Sequence, residues 1–150
     1  MTFTLQRRIY LNDTDAAGVV YFARGLEICH QAYEESLADA GISLERIIRE
    51  GQTALPIFRA EIDFLRPMFC GDRIQISLNA SLISNSEFAI AYQISPIDNF
   101  DNCDRLLVKA KTQHVCINPQ IRRRIDLPAE IHEWLNHCQS PPVRSRAVPF

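Results

Sequence analysis

The chain has 150 residues, 47% of them hydrophobic, and carries a formal net charge of −2 at pH 7. This length suits one domain with a core of its own, and the slightly acidic balance argues against a general nucleic-acid-binding protein. No apolar run approaches the ~20 residues that a membrane span requires, so we expect no membrane insertion.

The first third of the chain predicts a strand, a turn and a long helix. Residues 5–12 alternate apolar and polar side chains, which is typical of a half-buried strand. Polar and small residues at 12–18 predict a turn. From 21 to 40 the apolar residues recur at steps of three and four, which predicts a long helix that stops at Gly41.

The rest of the chain reads mainly as strands. A short helix is predicted at 44–50 and another from Pro128 to about Cys138. Between them, alternating patterns predict strands joined by turns at 84–86 and 96–104. These strands are expected at 58–64, 74–82, 88–94 and 106–117.

This order of elements predicts an α+β fold. The long helix must bury its apolar stripe, and the sheet is the only large surface available to it. We therefore expect an antiparallel five-stranded sheet wrapped around one long central helix. Residues 1–138 would form this single domain, and residues 139–150 a flexible C-terminal tail.

Cysteine usage and the N-terminus predict a cytoplasmic protein. The five cysteines are odd in number and widely spaced, without a C-x-x-C pair or a histidine at zinc-ligand spacing. We expect free thiols in a reducing compartment and no metal site. Residues 1–8 also lack the apolar core of a signal peptide.

The segment from Arg8 to Phe22, RIYLNDTDAAGVVYF, resembles the 4-hydroxybenzoyl-CoA thioesterase family of hotdog proteins. The D-x-D-x-x-G-[IV]-V-[YW] core stands after a first strand and before a long helix, as in that family. Five shorter segments resemble the family members that hydrolyse 1,4-dihydroxy-2-naphthoyl-CoA in phylloquinone biosynthesis: 29–34, 54–56, 62–64, 70–73 and 114–117. The resemblance implies a hotdog fold and hydrolysis of this aromatic acyl-CoA.

The same resemblance implies roles for four motif residues. Asp15 would be the catalytic carboxylate, either attacking the thioester or activating water. Backbone N–H groups near Tyr21 and Phe22, at the helix start, lack intrahelical partners and would polarise the thioester oxygen. The resemblance assigns this oxyanion role to Phe22, with Gly18 allowing the close turn. Without the resemblance, Asp15 reads as a structural carboxylate near a helix N-terminus, and Asp13 as a turn residue that binds backbone amides.

Coenzyme A carries phosphates that need cationic partners. Arg66, Arg73, Arg123 and Arg124 are the candidates, although without the resemblance the arginine run 122–124 reads as a solubilising end to the last strand. Coenzyme A is part of the substrate, and no metal or redox cofactor is expected.

Other residues keep alternatives open. Some short-chain members have a histidine where this chain has Phe22, so an aromatic or bulky acyl group is favoured. Other hotdog families place a catalytic glutamate further along the helix, a role open to Glu34 or Glu35. We interpret His30 and Glu34 as an ordinary i, i+4 pair and His114 as a structural strand residue.

The hotdog sheet leaves an edge strand whose backbone N–H and C=O groups are unpaired in a single chain. The resemblance implies a homo-oligomer, a dimer or a tetramer, with sites at the subunit boundary. Two alternative functions remain at this point: a broad acyl-CoA or acyl-carrier-protein thioesterase, and a non-catalytic module that binds acyl-CoA.

Overall fold

The computed structural model describes residues 2–97 and 105–139. No helix within these ranges has the length and apolar character needed to cross a membrane. The predicted tail, apart from Gln139, and most of the predicted turn at 96–104 fall beyond what the structure describes. The elements are β1 (Phe3–Arg8), a 3₁₀ turn (Leu11–Asp13), α1 (Phe22–Asp39), α2 (Leu44–Glu50), β2 (Ile57–Phe64), β3 (Arg73–Ser84), β4 (Glu87–Pro96), β5 (Val108–Val115), β6 (Ile117–Asn118), β7 (Arg123–Arg124) and α3 (Ala129–Cys138).

Five strands form one antiparallel sheet in the order β1-β3-β4-β5-β2, which confirms the five-stranded prediction. Two boundaries were predicted wrongly. The first strand ends at Arg8 because the Asp13 carboxylate accepts the Tyr10 N–H (2.9 Å) and turns the chain. The last strand ends at Val115, since Cys116 turns away to donate its N–H to Ser86 O (2.7 Å).

Beyond this turn, β6 pairs with β7 in a short ladder that the sequence pattern does not predict. The Asn118 side chain accepts the N–H groups of Gln120 and Ile121, which reverses the chain. Arg123 and Arg124 therefore belong to a two-residue strand of their own.

Helix α1 packs its apolar stripe on the sheet, as the periodicity predicts. Its buried residues are Gly25, Ile28, Cys29, Ala32, Tyr33, Ser36 and Leu37. Trp134 of α3 is fully buried beside it and donates its indole N–H to Ser36 Oγ (3.2 Å). This hydrogen bond satisfies the polar edge of the largest core side chain.

The strand directions give the sheet two distinct ends. At one end, β1, β4 and β2 finish while β3 and β5 begin, with Arg8 opposite Arg73 and Phe64 opposite Val108. We call it the site end, because the segment that carries Asp15 lies there. At the far end β3 runs into β4 through the Ser84–Glu87 turn. The chain leaves β1 at the site end, so the 12–21 segment and the N-terminus of α1 lie there.

Candidate active site

The Asp15 loop is a tight turn that presents one carboxylate. Asp15 donates its N–H to Val19 O (2.9 Å) and accepts the Gly18 N–H on its carbonyl (3.0 Å). One carboxylate oxygen, Oδ1, accepts the Ala17 N–H (2.8 Å). The side chain is otherwise exposed, so Oδ2 faces solvent with its lone pairs available. Such a carboxylate is oriented by the backbone and still free to react.

Gly18 makes this turn possible. Its φ of +81° lies in the left-handed region, which side chains with a Cβ rarely adopt. There is open space where its Cβ would stand, so the requirement is conformational and not steric crowding. The sequence prediction that Gly18 allows a close turn agrees with this geometry.

The loop is anchored on the segment that leads into β3. Val20 donates its N–H to Met68 O (2.9 Å), and Val19 forms a β-bridge with Phe69. Just before the loop, Ile9 exchanges backbone hydrogen bonds with Asp72 and Gly71 (both 2.8 Å). The Asp15 carboxylate is thus held on both sides of its loop.

The N-terminus of α1 lies directly after this loop, and its first backbone N–H groups differ in their partners. The Tyr21 N–H is not free, because it donates to the Asp13 carbonyl (2.9 Å). Arg24 closes the first turn by donating its N–H to Tyr21 O (2.9 Å). Within the described residues, the N–H groups of Phe22 and Ala23 have no acceptor. An oxyanion at this helix end would therefore meet the Phe22 and Ala23 amides, with the positive end of the helix dipole behind them.

Asp13 is the residue that joins the loop to the helix. Its buried carboxylate lies 2.5 Å from Arg7 Nη2 and 3.5 Å from Arg24 Nε, and it accepts the Tyr10 N–H. Its main-chain carbonyl accepts the Tyr21 N–H. The predicted turn role is confirmed. The two arginine partners were missed, since nothing in their spacing marks a pair between a strand and a helix.

Large apolar side chains surround the Asp15 loop, and we call them the apolar rim. They stand on the 3₁₀ turn, the first turn of α1, the end of β2 and the segment before β3. All are 43–76% exposed, which is unusual for so many large apolar groups in one region. The rim consists of Tyr10, Leu11, Tyr21, Phe22, Phe64, Leu65 and Phe69.

The four candidate coenzyme A arginines are divided between the two ends of the sheet. Arg66 follows β2 and donates its N–H to Leu107 O (3.1 Å), while Arg73 opens β3; both are at the site end. Arg124 forms an ion pair with Glu87 (2.8 Å) at the start of β4, and Arg123 precedes it. Glu87 stands nine residues from Pro96 at the site end of β4, about 30 Å at ~3.3 Å per residue. One subunit therefore brings only Arg66 and Arg73 near Asp15.

The alternative carboxylate on α1 stands away from this site. Glu34 lies 3.6 Å from His30 in a half-exposed pair, as predicted. Twelve residues separate it from Phe22, or roughly 18 Å along the helix at 1.5 Å per residue. Neither Glu34 nor Glu35 shares a reaction centre with the free amides of the α1 start in the same subunit.

Buried polar groups in the core form a structural chain. His114 is bonded through Nε2 to Thr112 Oγ1 (3.0 Å) and through Nδ1 to Leu55 O (3.3 Å), and it stacks on Phe88 with ring centroids 4.5 Å apart. Burial lowers the pKa of His114 to about 4. A neutral, doubly bonded histidine agrees with the structural role predicted for it.

The buried cysteines are poor candidates for a nucleophile, and the described residues hold no cluster of metal ligands. Burial raises the pKa of Cys29 to about 12 and that of Cys116 to about 11, so neither thiol supplies a thiolate near neutral pH. Cys70 is exposed, and the four cysteines of the described part of the chain are all unpaired. Across 2–97 and 105–139, no three His, Cys, Asp or Glu side chains are grouped in a way that could hold a metal ion.

Comparison with known proteins adds independent information. Residues 9–135 match the thioesterase-like superfamily. The chain is 51% identical to the 1,4-dihydroxy-2-naphthoyl-CoA hydrolase of Crocosphaera subtropica over 136 residues, covering 91% of this chain and 97% of that protein. It is 50% identical to the enzyme of the same name from Microcystis aeruginosa, covering 90% of this chain and 94% of the relative.

Solved structures give the same answer. The crystal structure of a 1,4-dihydroxy-2-naphthoyl-CoA thioesterase from Synechocystis superposes with a TM-score of 0.86 at 40% identity, covering 94% of this chain and 100% of that one. The dynemicin thioesterase matches with a TM-score of 0.83 at 17% identity, a likeness of fold alone. The predicted hotdog fold is confirmed.

Proposed function

The chain belongs to the thioesterase-like superfamily, and from this premise we propose that it hydrolyses 1,4-dihydroxy-2-naphthoyl-CoA to 1,4-dihydroxy-2-naphthoate and coenzyme A. The observation that carries the proposal is similarity over nearly the whole chain, 51% identity to an enzyme named for that substrate. The reaction is a step of quinone biosynthesis. Coenzyme A enters as part of the substrate, and the proposed chemistry needs no further cofactor.

Asp15 is the proposed catalytic residue. Its solvent-facing Oδ2 either adds to the thioester carbonyl carbon, giving an acyl anhydride that water then cleaves, or removes a proton from a water that adds instead. In both routes the C–S bond breaks, the thiolate leaves, and a proton converts it to the coenzyme A thiol. The support for this role is the Ala17 N–H bond, which fixes the carboxylate without occupying both oxygens.

The start of α1 is the proposed oxyanion site. The thioester oxygen gains negative charge during the addition, and the unpaired Phe22 N–H is the donor placed to receive it. One such donor typically contributes ~10²–10³ in kcat. Gly18 allows the tight turn of the Asp15 loop, which leads directly into this helix start. The Tyr21 amide is already bonded to Asp13, so Tyr21 would help to position the substrate through its exposed ring.

Arg66 and Arg73 are the proposed phosphate contacts from the same subunit. Both stand at the site end, near the loop that carries Asp15. Arg123 and Arg124 stand at the far end and would serve this site only from a second subunit. Arg124 would also have to leave Glu87, its present partner.

We propose a homo-oligomer, a dimer or tetramer, acting in the cytoplasm. β2 is an edge strand whose residues are exposed except for the half-buried Ile62, with Ile57 and Phe64 among them. An edge strand of this length with unpaired backbone groups favours pairing with a second copy. The free thiols of the described cysteines suit a reducing compartment.

Thiol release from a panel of acyl-CoA esters tests the function. The panel comprises dihydroxynaphthoyl, 4-hydroxybenzoyl, benzoyl, acetyl and palmitoyl esters. We expect preference for the naphthoyl ester and a loss of roughly 10²–10⁴ in kcat for Asp15→Asn. Asp39→Asn is the matched control, because Asp39 ends α1 roughly 25 Å from Phe22 at 1.5 Å per residue.

Three outcomes separate the candidate functions. Equal rates across the panel would favour the broad thioesterase. Binding without turnover in the wild type would favour the non-catalytic module. Full turnover by Asp15→Asn would show that another group performs the catalysis.

A further inference from the structure

Gly25 is a glycine inside a helix, a position where glycine is unfavourable by ~1 kcal/mol relative to alanine. A Cβ built on Gly25 would stand 2.8 Å from Ile62 Cδ1, 2.9 Å from Phe64 Cε1 and 3.0 Å from Phe64 Cζ. At these distances a Cβ would fit only if the Ile62 and Phe64 side chains shifted. The absence of a side chain at Gly25 therefore allows the Phe64 ring of β2 to pack directly on the backbone of α1.

The contact lies one turn from the proposed oxyanion donor. Phe22 and Gly25 are three residues apart, so they share a helix face and are separated by ~4.5 Å along the axis. Phe64 is 43% exposed although its ring edge touches the helix, so much of the ring remains open to a ligand.

The covalent structure of an aryl thioester would place its aryl group near the Phe64 ring. Its carbonyl carbon is bonded directly to the aromatic ring, so a carbonyl oxygen at the Phe22 N–H holds the aryl group within the first turn of α1. An alkyl chain has no planar face to match Phe64. Aromatic pairs are favoured beyond their buried area by offset or edge-to-face geometry.

We propose that Phe64, seated against Gly25, determines specificity by forming the wall that stacks on the aryl group of the substrate. The proposal rests on the proposed function and names the contact that selects aryl over alkyl thioesters. Gly25 acts as a positioning residue, because it sets how closely the ring approaches the helix.

The test is the ratio of kcat/KM for dihydroxynaphthoyl-CoA to kcat/KM for hexanoyl-CoA. Phe64→Leu should lower this ratio roughly 3- to 10-fold, the size of an aromatic pair contribution. Phe64→Tyr keeps the ring and should keep the ratio. Gly25→Ala keeps Phe64 but displaces its ring, and should also lower the ratio.

Leu82→Ala is the matched control. Leu82 is as exposed as Phe64, at 44%, and stands nine residues from the start of β3, about 30 Å from the site end. Its ratio should equal that of the wild type. Because a ratio of two substrates is measured on one preparation, partial unfolding of a variant does not move it.

The outcomes distinguish this inference from the function on which it rests. A wild type without preference for the aryl ester would overturn the proposed function and this inference together. A wild type with that preference, whose ratio is unchanged in Phe64→Leu and Gly25→Ala, would overturn the inference alone.

Discussion

Replacing Asp13 tests whether its carboxylate holds the site together. The side chain is 5% exposed and binds Arg7, whose side chain is 15% exposed, and Arg24, which is 33% exposed. Removing one partner of a buried ion pair costs about 3–5 kcal/mol. Here both guanidiniums keep another partner, Gln31 for Arg7 and Glu27 for Arg24, so the cost should fall below that range.

We therefore expect Asp13→Ala to lower the free energy of unfolding by about 2–3 kcal/mol, since Arg24 is partly solvated. For a chain of this size that corresponds to a Tm lower by about 4–12 °C. Asp13→Asn retains an acceptor for the Tyr10 N–H and should lose about half as much. In both variants kcat should fall more than KM rises, because the Asp15 loop and the Phe22 amide lose their common anchor.

Urea unfolding and steady-state kinetics, both well below the lowered Tm, measure these effects. Glu45→Ala is the control: its ion pair with Arg49 is exposed on both sides, and such pairs contribute about 0–1 kcal/mol. If Asp13→Ala lost no more stability than Glu45→Ala, the view of Asp13 as a buried anchor would be refuted.

Three further predictions concern the core and the charges. Burial lowers the pKa of His114 to about 4, against 6.5 in the unfolded chain. As the pH falls, the unfolded state is therefore the first to bind a proton at His114. The free energy of unfolding should then drop by ~3 kcal/mol between pH 6.5 and 4. Urea unfolding across that range should show a smaller drop in His114→Gln, and an equal drop would contradict the assignment. Ser36→Ala strands the buried indole N–H of Trp134 and should cost about 1–3 kcal/mol, measured by thermal unfolding. Arg66→Ala should raise KM for acyl-CoA but not for a substrate truncated to remove the nucleotide. If Arg124→Ala raised KM more than Arg66→Ala did, the phosphates would instead bind at the far end of the sheet.

Much of the fold could be predicted because local patterns determine it. The alternation in β3 and β4 and the three- and four-residue steps in α1 reflect which face of each element is buried. Asp15 and Gly18 were found because the motif that carries them is continuous in sequence. Their roles remain predictions, but their placement on a tight turn before α1 is what the structure has.

The rest depends on contacts between distant segments. Arg7, Asp13 and Arg24 meet only because β1 and α1 flank the same turn. In the sequence, Gly25 is only an unfavourable residue within a helix. Its reason is the contact with the Phe64 ring, which comes from a strand far along the chain. Arg66 and Arg124 lie at opposite ends of the sheet because of the directions in which the strands run. The run of arginines at 122–124 does not reveal those directions.

The exposure of the site explains why substrate shape and rate would be coupled. Asp15 and Phe22, whose carboxylate and N–H are the proposed catalytic groups, are both exposed residues, and water would weaken the carboxylate as a nucleophile and the amide as an oxyanion donor. An acyl group that covers the apolar rim expels this water and strengthens both interactions. A planar aryl group resting on Phe64 covers the first turn of α1 more completely than a flexible chain would, at a smaller cost in conformational entropy. The contact that recognises the aryl group would then also desolvate the reaction centre, so a loss of selectivity in Phe64→Leu should appear in kcat for the aryl ester as well as in KM.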